Sequence, residues 1–238
     1  MSASGNGEIA RCRPSGHHHA GVTATLLFVG VLLVACGERD VPPAIDHPPA
    51  VTPLPIAIGV YYPPEFRTWR CTVKTLNTSE WGRDSVARLY ATAHVIGPSQ
   101  VAAFDLVFPA MFQVVVPLEA PPPAPAPTGL TATITVGVDQ CLVAIDYDTV
   151  NVGRQGGSFA SITYRFTLTT PSGEKIATWS VVGGGLPKLE GIFSRDVTSG
   201  PWLQAAIRDA VAKFVAGFDT EPALAAWRAQ LLAQKAPP

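Results

Sequence analysis

Residues 159–183 read FASITYRFTLTTPSGEKIATWSVVG. Two β-rich runs, Phe159–Thr169 and Lys175–Gly183, flank Thr170-Pro171-Ser172-Gly173-Glu174, and a turn of that composition between such runs predicts a β-hairpin. Immediately upstream, Leu130, Ala132, Ile134, Val136 and Val138 alternate with threonines and a glycine, and Cys141, Val143, Ile145 and Tyr147 carry the pattern on. That is one long strand or a bent pair. Downstream of the hairpin the period changes. From Gly200-Pro201 to about Gly217, the residues Leu203, Ile207, Ala210, Val211, Phe214 and Phe218 fall on one face of a helix, with Arg208, Asp209 and Lys213 on others. Thr220 is placed to cap a last helix carrying Leu224, Trp227, Leu231 and Leu232.

The N-terminal half extends the same alternation of types. Ile56 to Tyr62 reads as a strand ended by Pro63-Pro64, and Arg67, Trp69, Cys71 and Val73 share one face of a second strand, with Trp69 and Cys71 toward the core. A polar turn runs through Asn77, Thr78 and Trp81 to Asp84, and the apolar stretch after it to Ile96 fits strand or helix. Gly97-Pro98-Ser99 starts a helix in which Val101, Phe104, Phe108 and Met111 form a stripe, and Pro109 should kink it. Val114 to Leu118 returns as a strand. Strands and helices are segregated rather than strictly alternating. The expected fold is therefore α+β, a mainly antiparallel sheet with helices packed on one face.

Composition narrows the class of protein. Of 238 residues 47% are apolar and 15% charged, which disfavours intrinsic disorder, and 17 basic against 18 acidic side chains leave a net charge of −1. Without a basic excess there is no electrostatic footprint for nucleic acid. The 23 prolines and 21 glycines require that part of the chain be linker.

At the N-terminus, Arg11 and Arg13 precede an uncharged run from Gly21 to Ala35, GVTATLLFVGVLLVA, followed by Cys36. Fifteen residues are too few to span a bilayer, which takes about 20, and fit the apolar region of a secretory signal peptide. Leu33-Val34-Ala35-Cys36 resembles the bacterial lipobox. The resemblance implies recognition of Leu33, Val34 and Ala35 by lipoprotein signal peptidase, cleavage before Cys36, and acyl chains on the sulfur and amine of Cys36. Two or more chains anchor a protein stably to a membrane surface. Gly37, in place of an aspartate, implies the periplasmic face of the outer membrane of a Gram-negative cell. The expected layout is a signal peptide over residues 1–35, the lipidated cysteine with a proline-rich tether over 36–54, and one periplasmic domain over 55–235.

The tether from Gly37, GERDVPPAIDHPPAVTPLP, has no helical or strand period. Extended at about 3.1 Å per residue, it would lift the domain some 50 Å from the membrane. A second proline-rich spacer, residues 119–128, interrupts the domain. Beyond Cys12 in the signal segment and Cys36, the cysteines left are Cys71 and Cys141. They are disulfide partners in an oxidising compartment, or two separately buried thiols.

Constellations that carry chemistry are sparse. Asp146 and Asp148 would share a strand face, but no third acidic ligand has a matching spacing, and a solvated face is preferred to a cation site. Gly183-Gly184-Gly185 lacks the lysine-serine/threonine pair of a phosphate cradle and reads as a bulged strand end. Asp139 beside Cys141 is a weak signal. No serine elbow, HExxH or CxxC occurs, so no catalytic residue, metal site or cofactor is assigned. Tyr61, Tyr62, Phe66, Trp69, Trp81 and Tyr90 are clustered aromatics; most of them read as core, which a strand pair of this size needs, and those of Tyr61, Tyr62, Phe66 and Trp81 that face outward are the candidates for a partner or ligand surface.

Segment order adds a second resemblance. IGVYYPPEFR, GPSQVAAFDLVFPAMF entering VVVPL, YRFTLTTPSGEKIATW and AAIRDAVAKF, spanning about Pro55 to Phe218, are similar to a group of poorly characterised Gram-negative outer-membrane lipoproteins. Their α+β domains are similar to those serving lipopolysaccharide assembly and exopolysaccharide export. The resemblance implies a non-enzymatic binding or assembly component of cell-envelope biogenesis or transport, with envelope proteins or further copies of itself as partners. The alternative is an auxiliary substrate-binding lipoprotein of a transporter, holding an apolar or lipid ligand between sheet and helices. An enzyme would need a cleft around Asp146, Asp148 or His94.

Overall fold

A computed structural model describes residues 38–77, 88–123, 127–144, 159–186 and 199–235. In chain order the elements are β1 (Glu38–Asp40), β2 (Leu54–Tyr61), α1 (Pro64–Arg67), β3 (Arg70–Asn77), β4 (Arg88–Val95), α2 (Gly97–Met111), β5 (Phe112–Leu118), β6 (Ala132–Ala144), β7 (Phe159–Thr169), β8 (Lys175–Gly185), α3 (Gly200–Phe218) and α4 (Pro222–Lys235). The expected signal peptide, the lipobox residues Leu33 to Cys36, Trp81, Asp146, Asp148 and residues 124–126 of the spacer lie outside the described residues.

The fold is α+β, but its strands form two mixed sheets instead of one mainly antiparallel sheet. A five-stranded sheet has the order β5-β2-β6-β7-β8, with β2 parallel to both β5 and β6. A three-stranded sheet has the order β1-β4-β3, with β1 parallel to β4. The parallel pairings follow from the long connections: β2 reaches β5 only after α1, β3, β4 and α2, room enough for a crossover, whereas the five-residue turn after β7 permits only an antiparallel return. That turn is closed by Gly173 N–H donating to Thr170 O at 2.9 Å and Glu174 N–H donating to Thr170 Oγ1 at 3.0 Å, with Gly173 at φ +92°.

β6 is a single long strand with a bulge between Val138 and Gln140. The extra residue keeps Val138 and Cys141 on one face although they are three apart, so the alternation read as one period shifts phase there. On that inner face, Ile134, Val136, Ile162, Tyr164, Phe166, Leu168 and Trp179 meet α2 and α3. Phe166 stacks on Phe214 at 4.4 Å between centroids, and Phe104 meets Phe166 and Phe214 edge-on at 5.6 and 6.0 Å. The opposite face carries Arg165, Thr178 and Ser180 to solvent, with Asp139 and Arg165 paired at 2.7 Å.

Several boundaries differ from expectation. Arg67 ends the short helix α1 instead of starting a strand, because Pro64 sits in its first turn, where a missing N–H costs nothing. The segment from Arg88 to Val95 is a strand. Pro109 falls in the last turn of α2, which ends two residues later. Thr220 does not cap α4: its hydroxyl donates back to Gly217 O at 3.2 Å, and Glu221 Oε1 accepts from Ala223 N–H at 3.3 Å.

Candidate functional site

The largest departure from expectation is at the start of the described chain. Residues 38–45, read as free tether, belong to the fold. β1 pairs with β4 through Glu38–Ala93, Arg39–His94 and Asp40–Val95, and Val41 N–H donates to Val95 O at 3.2 Å. Pro42 and Pro43 then offer carbonyls but no N–H. Three side chains take three successive carbonyls: Ser99 Oγ donates to Pro42 O at 2.7 Å, Gln204 Nε2 to Pro43 O, and Arg208 Nε to Ala44 O at 2.9 Å. Val41 and Ala44 are buried in the core at 5% and 1% exposure. The strap is thereby clasped between β4, α2 and α3.

Beside the strap, Ser199 Oγ lies 2.6 Å from His94 Nε2, joining the start of α3 to β4. Both are buried, and among the described residues His94 Nδ1 has no hydrogen-bond partner. Burial, followed by the nearby positive charge of Arg39, holds the imidazole below its usual range and hence neutral. A serine activated for attack needs an exposed hydroxyl and a base oriented by a third group. Among the described residues this pair has neither, and it joins β4 to the start of α3.

A second polar chain runs through the core. Tyr164 OH donates to Gln100 Oε1 at 3.1 Å, and Gln100 Nε2 donates to Phe66 O at 2.6 Å, tying β7, α2 and α1 together. Burial raises the phenol of Tyr164 far above its usual range, so it stays a donor.

The expected partner surface is not assembled. Phe66 and Tyr62 are interior at 0% and 4% exposure, and their rings stack at 5.3 Å. Tyr62, the residue after β2, turns inward in phase with the buried Ile56, Ile58 and Val60 of that strand, and its OH donates to Asp105 Oδ1 at 2.9 Å. Burial first, then the Asp105 charge, raises its phenol far above the usual range. Tyr61 alone of the described members is half-buried on the outer face. Cys71 and Cys141 form a disulfide, with Cα atoms 5.7 Å apart, that ties the small sheet to the large one.

Gly183 and Gly185 are neither a phosphate cradle nor a bulge. β8 continues in register through both, and a Cβ on Gly183 would lie 2.0 Å from Ala206 O, one on Gly185 1.9 Å from Trp202 O. They let α3 lie directly on the strand. Along the same edge Asp209 Oδ2 accepts Gly184 N–H at 2.8 Å, and Lys213 Nζ donates to Val182 O at 3.0 Å while pairing with Asp209 at 2.7 Å. Partial burial pushes the Asp209 carboxyl up, but the hydrogen bonds and charge of Lys213 and the Gly184 N–H outweigh it, and the net direction is down. This end of β8 is covered against strand addition.

No protein-family model matches the chain, and no curated protein gives a significant match. Among the described residues no three His, Cys, Asp or Glu side chains come together as a metal site, and no helix is long and apolar enough to cross a membrane. Ser99, Gln204 and Arg208 carry no sequence signal of their role, since their partners lie 57, 161 and 164 residues away.

Proposed function

We propose that the chain is a periplasmic lipoprotein of a Gram-negative outer membrane, anchored through acylated Cys36 and acting as a non-enzymatic binding or assembly component of envelope biogenesis or transport. The observation that carries this reading is the run Gly21–Ala35, preceded by Arg11 and Arg13 and closed by Leu33-Val34-Ala35-Cys36. The Cys71–Cys141 disulfide supports an oxidising compartment. The space between sheet and helices is filled by Phe104, Phe108, Phe166 and Phe214, whose rings sit 4.4 to 6.0 Å apart. That filling favours a protein partner over an apolar ligand held within the domain.

Radiolabelled palmitate should enter the expressed chain and vanish in Cys36→Ala; equal labelling of the two would sink the anchor. Crosslinking in intact envelopes should then capture an envelope protein or a second copy. Recovery of monomer alone, under conditions that keep other envelope complexes intact, would remove the assembly reading.

A further inference from the structure

We propose that β5 is a docking edge for β5 of a second copy, the two strands pairing antiparallel about a two-fold axis through Val115 and joining two five-stranded sheets into one. The inference rests on the assembly reading above, to which it adds a partner and a surface, and does not need the acyl anchor. β5 is an outer strand of its sheet. The opposite outer strand, β8, has its Gly184 N–H and Val182 O taken by Asp209 and Lys213. β5 has no such cover: Gln113, Val114 and Pro117 are exposed, Val114 at 48%, and among the described residues no group bonds to its outer side. An uncovered apolar strand edge is a template for a further strand.

The occupant follows from which groups face outward. β5 keeps register with β2 from Val114 to Leu118, and in a parallel pair alternate residues turn their N–H and C=O to the partner strand. Pro117 has no N–H to give, so Val114, Val116 and Leu118 bond to β2, and Gln113, Val115 and Pro117 turn outward. That outer edge is complementary to itself. With the axis at Val115, each Val115 N–H meets the Val115 carbonyl of the other copy, and each Gln113 N–H meets a Pro117 carbonyl. Every outward N–H of the strand is then satisfied, and the proline stands where only an acceptor is needed. Val114 and Val116 lie beside Ala57 and Gly59, opposite in phase to the buried Ile58 and Val60, and so on the outer face. In this register Val114 of one copy falls across from Val116 of the other in a close, non-hydrogen-bonded pair, which buries the most exposed side chain of the edge. The strand FQVVVPL carries no charge, so pairing with itself opposes no like charges, and Glu119 falls at opposite ends of the antiparallel pair. One short strand a side makes a small interface, so the pair forms with rising concentration.

The test uses the mature chain in detergent, followed by sedimentation and by residue-resolved hydrogen exchange over a concentration series. Wild type should pass from monomer to dimer, and the Gln113 and Val115 amides should gain protection in step, while Val116, bonded to β2, is protected throughout. Val114→Lys changes an exposed side chain and should leave the monomer folded. The two-fold axis places it in the interface twice, so it should raise the dimer Kd at least about tenfold. Val182→Lys, at a position equally exposed on the covered strand β8, should leave the Kd unchanged. A wild type that stays monomeric up to about 1 mM overturns the pairing, and so does a dimer that both variants weaken alike or in which the Gln113 and Val115 amides exchange freely. Capture of a different envelope protein by a chain whose β5 amides stay unprotected overturns the pairing and leaves the assembly reading standing. Monomer alone in intact envelopes removes both.

Discussion

The Nε–H of Arg208 on α3 donates to the carbonyl of Ala44, 164 residues earlier, across 2.9 Å. With Ser99 and Gln204 on the two neighbouring carbonyls, it fastens the N-terminal strap to the helical layer. A part-buried hydrogen bond from a charged donor contributes about 1.5–3 kcal/mol. Arg208→Ala should lower stability toward urea by that amount and raise hydrogen exchange over residues 38–45 more than over β7. Equal exchange increases in both segments would mean that the arginine supports the whole domain and not the strap.

Gly183 and Gly184 are neighbours with opposite tolerance. A Cβ on Gly183 meets Ala206 O at 2.0 Å, while one on Gly184 has Asp209 Oδ2 at 3.8 Å as its nearest neighbour. Gly183→Ala must push α3 off β8 and should cost at least about 1–3 kcal/mol, the range of core overpacking. Gly184→Ala should stay within about 0.5 kcal/mol of wild type, as surface changes do. Denaturation midpoints of the two variants decide it, and equal losses would refute the direct helix–strand contact.

The Cys71–Cys141 bond closes a 70-residue separation and joins β3 to β6. In the chain-entropy model a loop of this size is worth about 4 kcal/mol. The double variant Cys71→Ala/Cys141→Ala should lose that much, and the unreduced wild type should be 2 Da lighter than the reduced chain, the mass of two hydrogens, about 1 Da each. Two alkylatable thiols in the unreduced protein would contradict the bond.

Stability should fall with acid through His94. Burial and Arg39 lower its folded pKa, so below an unfolded value of about 6.5 the unfolded chain takes up a proton that the folded one refuses. The folded state is therefore favoured above pH about 6.5 and weakens as pH drops below it, by up to about 1.4 kcal/mol per unit for one proton. His94→Gln should flatten the pH dependence of stability in that window relative to wild type. Parallel profiles would show that the imidazole titrates freely in the fold.

The core hairpin was legible because both its strands and its turn are contiguous from Phe159 to Gly185. β6 was legible as a strand, but its bulge was not, because the alternation was carried across the three-residue step from Val138 to Cys141 as one period; the apolar faces of α2 and α3 followed from a helical period. What depends on distant pairing was not legible. The parallel pairing of β2 with β5 and β6, the clasp on Pro42 to Ala44, and the approach of α3 to Gly183 join residues far apart in the chain, and no local period records them. Tyr62 and Phe66 misled for a related reason. Aromatic composition is shared by surfaces and cores, and only the inward phase of β2 and the position of α1 decide between them.

On the function proposed above, the mature chain begins at an acylated Cys36. Intact-mass and N-terminal peptide analysis of the protein extracted from cell membranes tests it most directly. A chain lacking residues 1–35, with diacylglycerol and a further acyl chain on Cys36, is expected. A chain retaining Gly21–Ala35, or one with an unmodified Cys36, would contradict it.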